Sequence, residues 1–275
     1  MGFQINTNTA ANTAYRNLSS TQNDMSKSLE KLSSGLRINR AADDAAGLSI
    51  AEGLRSQVNG LGVAARNAQD GISVVQTAEG ALTEVHSILQ RVRDLAVQSG
   101  NDSNNAEART AIQTEVTALG DELSRIATST NFNGTDLLSA AAADLTFQVG
   151  AGSTAANDQI TVAATDIEAV ATAVKGLTFT SSADALTSIA ALDTQIESVS
   201  SARSGLGAVQ NRFESAINSI NVSQENLSAA ESRIRDTDMA KEMSSFTRSN
   251  ILSQAGTAML AQANQMNQGV LQLLR

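Results

Sequence analysis

A single long segment carries an apolar residue at every seventh position without interruption, and this repeat constrains the fold more than any other feature. The row consists of Leu192, Val199, Leu206, Phe213, Ile220, Leu227 and Ile234. Because two turns of a coiled-coil helix take seven residues, the row predicts one continuous helix over about 186–234 that packs along its apolar side. The alternate seam positions, from Ile189 to Glu231, are mixed. Ser181, three residues before Asp184, predicts a capping box where this helix begins.

The chain contains no proline in 275 residues, whereas an average composition would supply roughly 14. Since proline interrupts helix interiors, its absence allows very long helices. Apolar spacing predicts a helix over the N-terminal stretch to about residue 35 and a second helix over 44–99, ended by a left-handed Gly100. A third helix, marked by Ile112 and Val116, follows the turn NDSNNAEAR and completes an antiparallel hairpin.

The segment 130–180 differs from the rest of the chain in its periodicity. LTFQV (145–149) and QITVA (159–163) alternate with period two and predict a small β-hairpin region, and GLTFT (176–180) predicts a further strand. The predicted fold class is therefore mainly α, with long antiparallel coiled-coil-like helices, this small β-hairpin region and termini that pair together.

Both ends of the chain are free of charge. The first 15 residues and the segment 249–274 contain no Asp, Glu, Lys or Arg. The C-terminal segment has the length of a bilayer span, but eight Asn and Gln side chains would be costly in hydrocarbon, so we exclude a membrane anchor. Its apolar residues fall at helical spacing and predict an amphipathic helix with a neutral polar face.

The two ends are predicted to pair along a terminal helix seam. Ordering the backbone of both ends costs more free energy than the burial of apolar side chains between two isolated helices can supply. We therefore expect these ends to become ordered only when they pack against neighbouring copies. Neutral faces suit such contacts, because they bury no charge. The predicted seam residues are Leu18, Met25, Leu29, Leu32, Met243, Phe246, Met259, Met266, Val270 and Leu273.

Composition excludes several classes of function. The net charge of −9 argues against binding to nucleic acid or anionic membranes. The chain has no cysteine, and its single histidine, His86, has no partners for catalysis or metal binding. Neighbouring acids such as Asp43 and Asp44 point in different directions on a helix, so they do not form an acid/base pair. We therefore expect no enzyme activity, no cofactor and no metal. The first residues carry neither the basic nor the apolar region of a secretory signal peptide.

Two long motifs are closely similar to those of a known family. The stretch 32–61, LSSGLRINRAADDAAGLSIAEGLRSQVNGL, and the run that follows it over 67–101 resemble the N-terminal region of bacterial flagellin. The stretch 231–274, beginning ESRIRDTDMAKEM, resembles the other flagellin terminus. The chain is short for this family and lacks large variable outer domains. A generic coiled coil does not carry both motifs in this order.

The resemblance implies a structural subunit that polymerises into the flagellar filament, the helical propeller of bacterial motility. It further implies export through the flagellar secretion apparatus without a cleaved signal peptide and an extracellular location. The implied partners are further copies of the chain, an export chaperone, the filament cap, hook-associated junction proteins and Toll-like receptor five of a host. Residues 1–43 with 236–275 would form an inner tube, and residues 44–235 an outer one. The alternatives are a hook–filament junction protein and a cytosolic coiled-coil signalling module.

Two groups of residues are candidate sites by the same resemblance. Arg37, Arg40, Asp43 and Asp44 would lie at the joint between the two layers and set register between subunits, unless they form a solvated linker. The run LQRVRDLA resembles the receptor-recognition patch of many flagellins, although Asp94 stands where many members have Glu. The primary role expected of Arg91 and Glu115 is packing between subunits of the filament, and receptor recognition is a secondary hypothesis. The residues of this patch are Leu89, Gln90, Arg91, Leu95 and Glu115.

Overall fold

A computed structural model describes the backbone of residues 8–273 and the side chains of residues 8–265. The chain is mainly helical, as the sequence predicts. The longer helices are α1 (Thr9–Ser34), α2 (Ala45–Ser99) and α3 (Ala106–Ser129), followed after the β region by α6 (Ser182–Arg235) and α7 (Met239–Leu273). Between α3 and α6 lie β1 (Asn131–Phe132), β2 (Thr135–Asp136), β3 (Leu145–Gln148), α4 (Ala155–Asp158), β4 (Gln159–Val162) and α5 (Ile167–Lys175).

The chain divides into two compact units. Residues 1–56 and 226–275 form the terminal unit, and residues 57–225 form the central unit. The division lies inside α2 and α6, whereas the boundaries expected from the sequence lie at helix ends.

In the terminal unit, α1 and α7 pack against each other in antiparallel directions. Asn8 Nδ2 donates to the carbonyl of Ala263 at 2.9 Å, and Leu36 forms an isolated antiparallel β-bridge with Asp236 at the opposite end of the pair. Asn8 also caps α1, because its side chain accepts the N–H of Ala11. The predicted pairing of the two ends of the chain is therefore confirmed for the described residues.

In the central unit, α6 places its seven-residue row in the core. The side chains from Leu192 to Ile220 in that row are buried, and the mixed row from Ile189 to Gln224 is half-buried throughout. The same core takes apolar side chains from α2 and α3, among them Leu82, Leu89 and Val116. The predicted capping box at the start of α6 is present, since the Ser181 hydroxyl accepts the N–H of Asp184 at 3.1 Å.

Strands β3 and β4 form the predicted antiparallel hairpin, with Phe147 opposite Ile160. A second hairpin, β1 with β2, turns at Asn133 and Gly134, both of which have positive φ. Helix α5 packs near α3, where the Lys175 side chain lies against Gly120 and its ammonium pairs with Asp121 at 2.8 Å. The buried apolar side chains of β4 and α5, among them Ile160 and Val170, belong to the same core as those of the long helices.

Two local predictions are wrong. Residues 176–180 form a loop, because the Gln113 amide takes up its backbone groups: it donates to the carbonyl of Leu177 and accepts the N–H of Phe179. Gly100 is not left-handed; Gly35, at the end of α1, has that conformation with φ 74°. Gly100 instead lies close to Ala185 of α6, and its carbonyl accepts the hydroxyl of Ser182.

Candidate self-association surface

Large apolar side chains are exposed mainly on the terminal unit. Of twelve such side chains among the described residues, the central unit holds only Val63, Val97, Leu186 and Val222. Because exposed apolar patches mark interaction sites in soluble proteins, the terminal unit is the candidate contact surface. The eight on the terminal unit are Tyr15, Leu29, Ile50, Met239, Met243, Ile251, Leu252 and Met259.

A groove of about 620 Å³ runs between α1 and α7 on this unit. It exists because small residues let the two helices approach: a side chain added at Gly256 would lie 3.3 Å from Leu18. No charged side chain lines the groove. Its lining is Thr9, Ala10, Thr13, Ala14, Asn17, Leu18, Thr21, Leu252, Ala255, Gly256 and Met259.

The structure brings together only part of the predicted terminal seam. Leu18, Met25, Leu32 and Phe246 are half-buried on the α1 and α7 pair. Leu29, Met243 and Met259 are instead at least half exposed. The helical period places a residue on a stripe, but it does not say whether the stripe faces the partner helix or an external surface. The side chains of Met266, Val270 and Leu273 lie outside the described residues.

Four of the five described amide side chains of α7 are exposed, and the fifth, Asn250, is half-buried. Gln254, Gln262, Asn264 and Gln265 are exposed, and Gln254 donates to the Asn250 side chain at 2.9 Å. These groups keep the surface polar without adding charge. A partner can therefore bury them by exchanging hydrogen bonds, whereas burial of a charge would carry a larger desolvation cost.

The predicted joint is held by main-chain hydrogen bonds between distant parts of the chain. The N–H of Arg37 donates to the carbonyl of Arg235 at 2.6 Å, and the N–H of Thr237 donates to the carbonyl of Gly35 at 3.0 Å. The Arg37 guanidinium also donates to the carbonyl of Ile234. This short antiparallel link connects the end of α1 to the junction between α6 and α7.

Asp43 and Asp44 each fix a local turn. Asp43 Oδ2 accepts the N–H groups of Arg40 at 2.9 Å and Asn39 at 3.1 Å, and these backbone hydrogen bonds hold the pKa of Asp43 below its ordinary value. Asp44 Oδ1 accepts the N–H of Gly47 at 2.8 Å at the start of α2. The Arg40 side chain pairs with Glu30 at 2.7 Å. Within the chain, these residues shape the joint through local bonds.

Sequence reasoning missed Arg235 as a joint residue. The Arg235 side chain is 14% exposed, and its guanidinium pairs with Glu52 of α2 at 3.0 Å. Its main-chain carbonyl accepts the N–H of Arg37. A sequence signal for Arg235 did exist, because this residue lies within ESRIRDTD, part of the stretch that resembles the C-terminal region of flagellin. Its position at the end of the seven-residue row gave no reason to expect a contact with α2.

The residues of the predicted receptor patch lie at two depths. Arg91 and Glu115 form an exposed ion pair between α2 and α3 at 2.7 Å, and Gln90 is exposed beside them. Leu89 and Leu95 are buried in the central core. Only the three polar residues can therefore touch another molecule, and the two leucines support them from below.

The described residues offer no metal site of three or more His, Asp or Glu side chains. His86 is half-buried, and its Nε2 lies 2.9 Å from the amide of Gln90. No helix within residues 8–273 combines the length and hydropathy that a bilayer crossing requires.

The motifs at both ends match known families over most of the chain. Residues 5–143 match the bacterial flagellin N-terminal helical region, and residues 189–274 match the bacterial flagellin C-terminal helical region. A flagellin of Halalkalibacterium halodurans is 52% identical, over 98% of this chain and 99% of its own length. The chain belongs to the flagellin family. As a member of it, the chain is a structural protein and not an enzyme.

Two further comparisons agree with this assignment. The flagellar filament 33 kDa core protein of Treponema phagedenis is 46% identical, over 98% of this chain and 99% of its own length. The crystal structure of Bacillus cereus flagellin is 33% identical, with a TM-score of 0.50, and covers 60% of this chain and 94% of that one.

Proposed function

We propose that the chain is the subunit of a bacterial flagellar filament and that it polymerises through the exposed apolar surface of its terminal unit. The observation that carries this proposal is the groove between α1 and α7, which is lined without charge and flanked by Leu252 and Met259. Such a surface gains free energy when a second copy covers it, at about 25 cal/mol for each Å² of apolar area buried.

The occupant of the groove is a second copy of the same chain. The surface that would enter it lies on the charge-free ends of the same two helices, because Tyr15 and Ile251 belong to the segments 1–15 and 249–274, which contain no Asp, Glu, Lys or Arg. A helical polymer forms when one patch meets a different patch on the next copy and the contact does not close. The α1 and α7 pair offers both the groove and apolar side chains outside it, such as Tyr15 and Ile251.

Two parts of the chain, with the bounds expected from the sequence, take different roles in this proposal. Residues 1–43 with 236–275 form the inner layer of the filament, and residues 44–235 form the outer layer. The joint, with Arg37, Arg40, Asp43 and Asp44, sets the register between them. The hydrogen bond from the Arg37 N–H to the Arg235 carbonyl and the turn fixed by Asp43 support this role. Both hold the segment that connects α1 to α2, and the first also ties it to the end of α6.

Location and partners follow from filament assembly. The filament lies outside the cell, and the chain reaches it through the flagellar secretion apparatus. An export chaperone would cover the terminal unit before assembly, because its apolar surface is exposed in the free chain. The filament cap and the hook-associated junction proteins would contact the same unit at the two ends of the polymer.

A host receptor of the Toll-like receptor five type is a further partner. The exposed pair of Arg91 and Glu115, with Gln90 beside it, offers a donor, an acceptor and an amide on one surface of the central unit. Planar guanidinium groups are common anchors of such contacts. The same residues can pack between subunits, so recognition requires the unassembled chain.

Electron microscopy of the purified full chain under mild salting-out tests the proposed polymerisation. We expect long filaments of constant width. A second sample lacking residues 249–275 should form none, while circular dichroism shows that the helices of the central unit remain. Permanent dimers of the full chain would instead support a coiled-coil signalling module, and filaments of the shortened chain would contradict the proposed contact.

A further inference from the structure

The methionines of this chain are confined to one unit. The sequence has six, at positions 1, 25, 239, 243, 259 and 266, and all lie in the terminal unit. The central unit builds its larger apolar core from Leu, Ile, Val, Phe and Ala alone. All six methionines therefore belong to the unit that carries the proposed contact surface.

Three of these thioethers are open to solvent in the free chain. Met239 is 47% exposed, Met243 is 50% exposed and Met259 is 65% exposed. Met25, by contrast, is half-buried. Solutes in the surrounding medium can therefore reach the first three side chains before any other copy of the chain covers them.

Met259 occupies a position where a change of polarity has a direct effect. It lines the groove between α1 and α7 together with Leu18, Leu252 and Gly256. Met239 and Met243 lie one turn apart at the start of α7 and so share a side of that helix. Each of the three adds apolar surface that the proposed contact between copies would bury.

The chemistry of the thioether makes these positions reactive. A sulfur lone pair attacks one oxygen of hydrogen peroxide, the S–O bond forms and the O–O bond breaks. The departing oxygen takes up the proton of the transferred hydroxyl and leaves as water. The sulfur is oxidised by two electrons and the peroxide is reduced, so one thioether and one peroxide give one sulfoxide and one water. The product is polar, and methionine sulfoxide reductases reverse it.

We infer that Met239, Met243 and Met259 are a reversible oxidation site that blocks self-association of the free chain. The inference rests on the proposed function. A sulfoxide at Met259 puts a strong hydrogen-bond acceptor into a groove that a second copy must fill with apolar side chains. Once copies have assembled, the same contacts cover the thioethers, so oxidation by peroxide acts on the chain before assembly and spares the polymer.

The test compares assembly of the purified full chain before and after treatment with hydrogen peroxide. Mass spectrometry of the free chain should show Met239, Met243 and Met259 oxidised several times faster than Met25. The critical concentration for filament formation, measured by sedimentation, should rise about tenfold, which corresponds to about 1.4 kcal/mol, because the contact would bury an unpaired polar group. Treatment with both methionine sulfoxide reductases should restore it.

Leucine variants provide the matched control, since Leu keeps the apolar volume and has no oxidisable sulfur. The triple variant M239L/M243L/M259L should assemble at the same critical concentration with and without peroxide. The inference is overturned if the oxidised wild-type chain assembles normally, or if the triple variant still loses assembly after peroxide. A wild-type chain that forms no filaments before treatment would contradict the proposed function instead, so the two failures are distinguishable.

Discussion

The ring of Phe213 lies where a side chain at Gly71 would be. A Cβ added at Gly71 would come within 2.6 Å of Phe213 Cζ, and the same ring meets Phe147 of β3 edge-on at a centroid distance of 5.6 Å. Phe213 belongs to the seven-residue row of α6 and is fully buried. One aromatic side chain therefore connects α2, α6 and the β3–β4 hairpin, and a glycine is required opposite it.

Replacement of Gly71 by Ala should destabilise the central unit. Overpacking of a filled core costs about 1–3 kcal/mol, which exceeds the gain of about 0.5–1 kcal/mol from removal of a helical glycine. The free energy of unfolding in urea measures the difference. Gly80→Ala, in the same helix but facing open space, is the matched control and should be stabilising; equal effects for the two variants would contradict the packing described for Phe213.

Gly35→Ala should destabilise the joint through backbone strain alone. Gly35 has φ 74° and nothing lies within 4 Å of its missing Cβ, so the variant adds no clash. A left-handed conformation costs about 1–2 kcal/mol for a residue with a Cβ. Hydrogen exchange of the Thr237 amide, which donates to the Gly35 carbonyl, reports on this link. Gly53→Ala, at an open helical position of the same unit, should leave that amide as protected as in the wild type.

The joint should weaken in acid because of Asp43. Backbone hydrogen bonds from Arg40 and Asn39 lower the pKa of Asp43 from its ordinary 3.8. A carboxylate with a lowered pKa stabilises the folded state above the ordinary value, and this contribution disappears as the pH falls through the lowered folded value. NMR titration of Asp43 should give that lower pKa, and amide exchange of Arg40 should accelerate over the same range.

Asp43→Asn should remove this acid dependence and leave the Arg40 amide less protected at neutral pH. Asp24→Asn, at an exposed position on α1, controls for the loss of one negative charge. A joint whose amide protection in acid is the same in wild type and Asp43→Asn would contradict the role given to this carboxylate.

Receptor recognition predicts a specific effect of Arg91. In a cell assay of Toll-like receptor five signalling, the wild-type monomer should be active and Arg91→Ala should be at least about tenfold weaker, as expected for loss of a contact of about 1.4 kcal/mol. Arg125→Ala also breaks an exposed ion pair, with Glu122 on α3, and should signal like the wild type. A silent wild-type monomer would remove the basis for this proposal.

The sequence predicted the parts of the fold that have a long, regular period. The row from Leu192 to Ile220 is buried as a unit because seven-residue spacing keeps one side of a helix in contact over many turns. Shorter elements gave weaker signals. Helix α5 was missed although Asp166 caps it and Ile167, Val170 and Val174 share its buried face, and the β1–β2 hairpin was missed although Asn133-Gly134 favours such a turn.

The sequence predicted which helices carry the candidate surface, but not which side of each helix is exposed. Charge-free ends correctly indicated the pair of α1 and α7, yet Leu29, Met243 and Met259 are exposed where a seam was expected. An apolar stripe has the same period whether it contacts the partner helix or a second copy. Tertiary packing decides between the two, and the close approach of Leu18 to Gly256 is one contact that fixes it here.

Sedimentation of a Leu252→Glu variant tests the central claim most directly. Leu252 is exposed in the groove, so a glutamate there leaves the free chain folded but would bury a charge in the proposed contact. We predict a rise of at least about tenfold in the critical concentration for filament formation. Leu186→Glu, at an exposed position of the central unit, should stay closer to the wild type. Filaments of Leu252→Glu at the wild-type critical concentration would contradict self-association through the terminal unit.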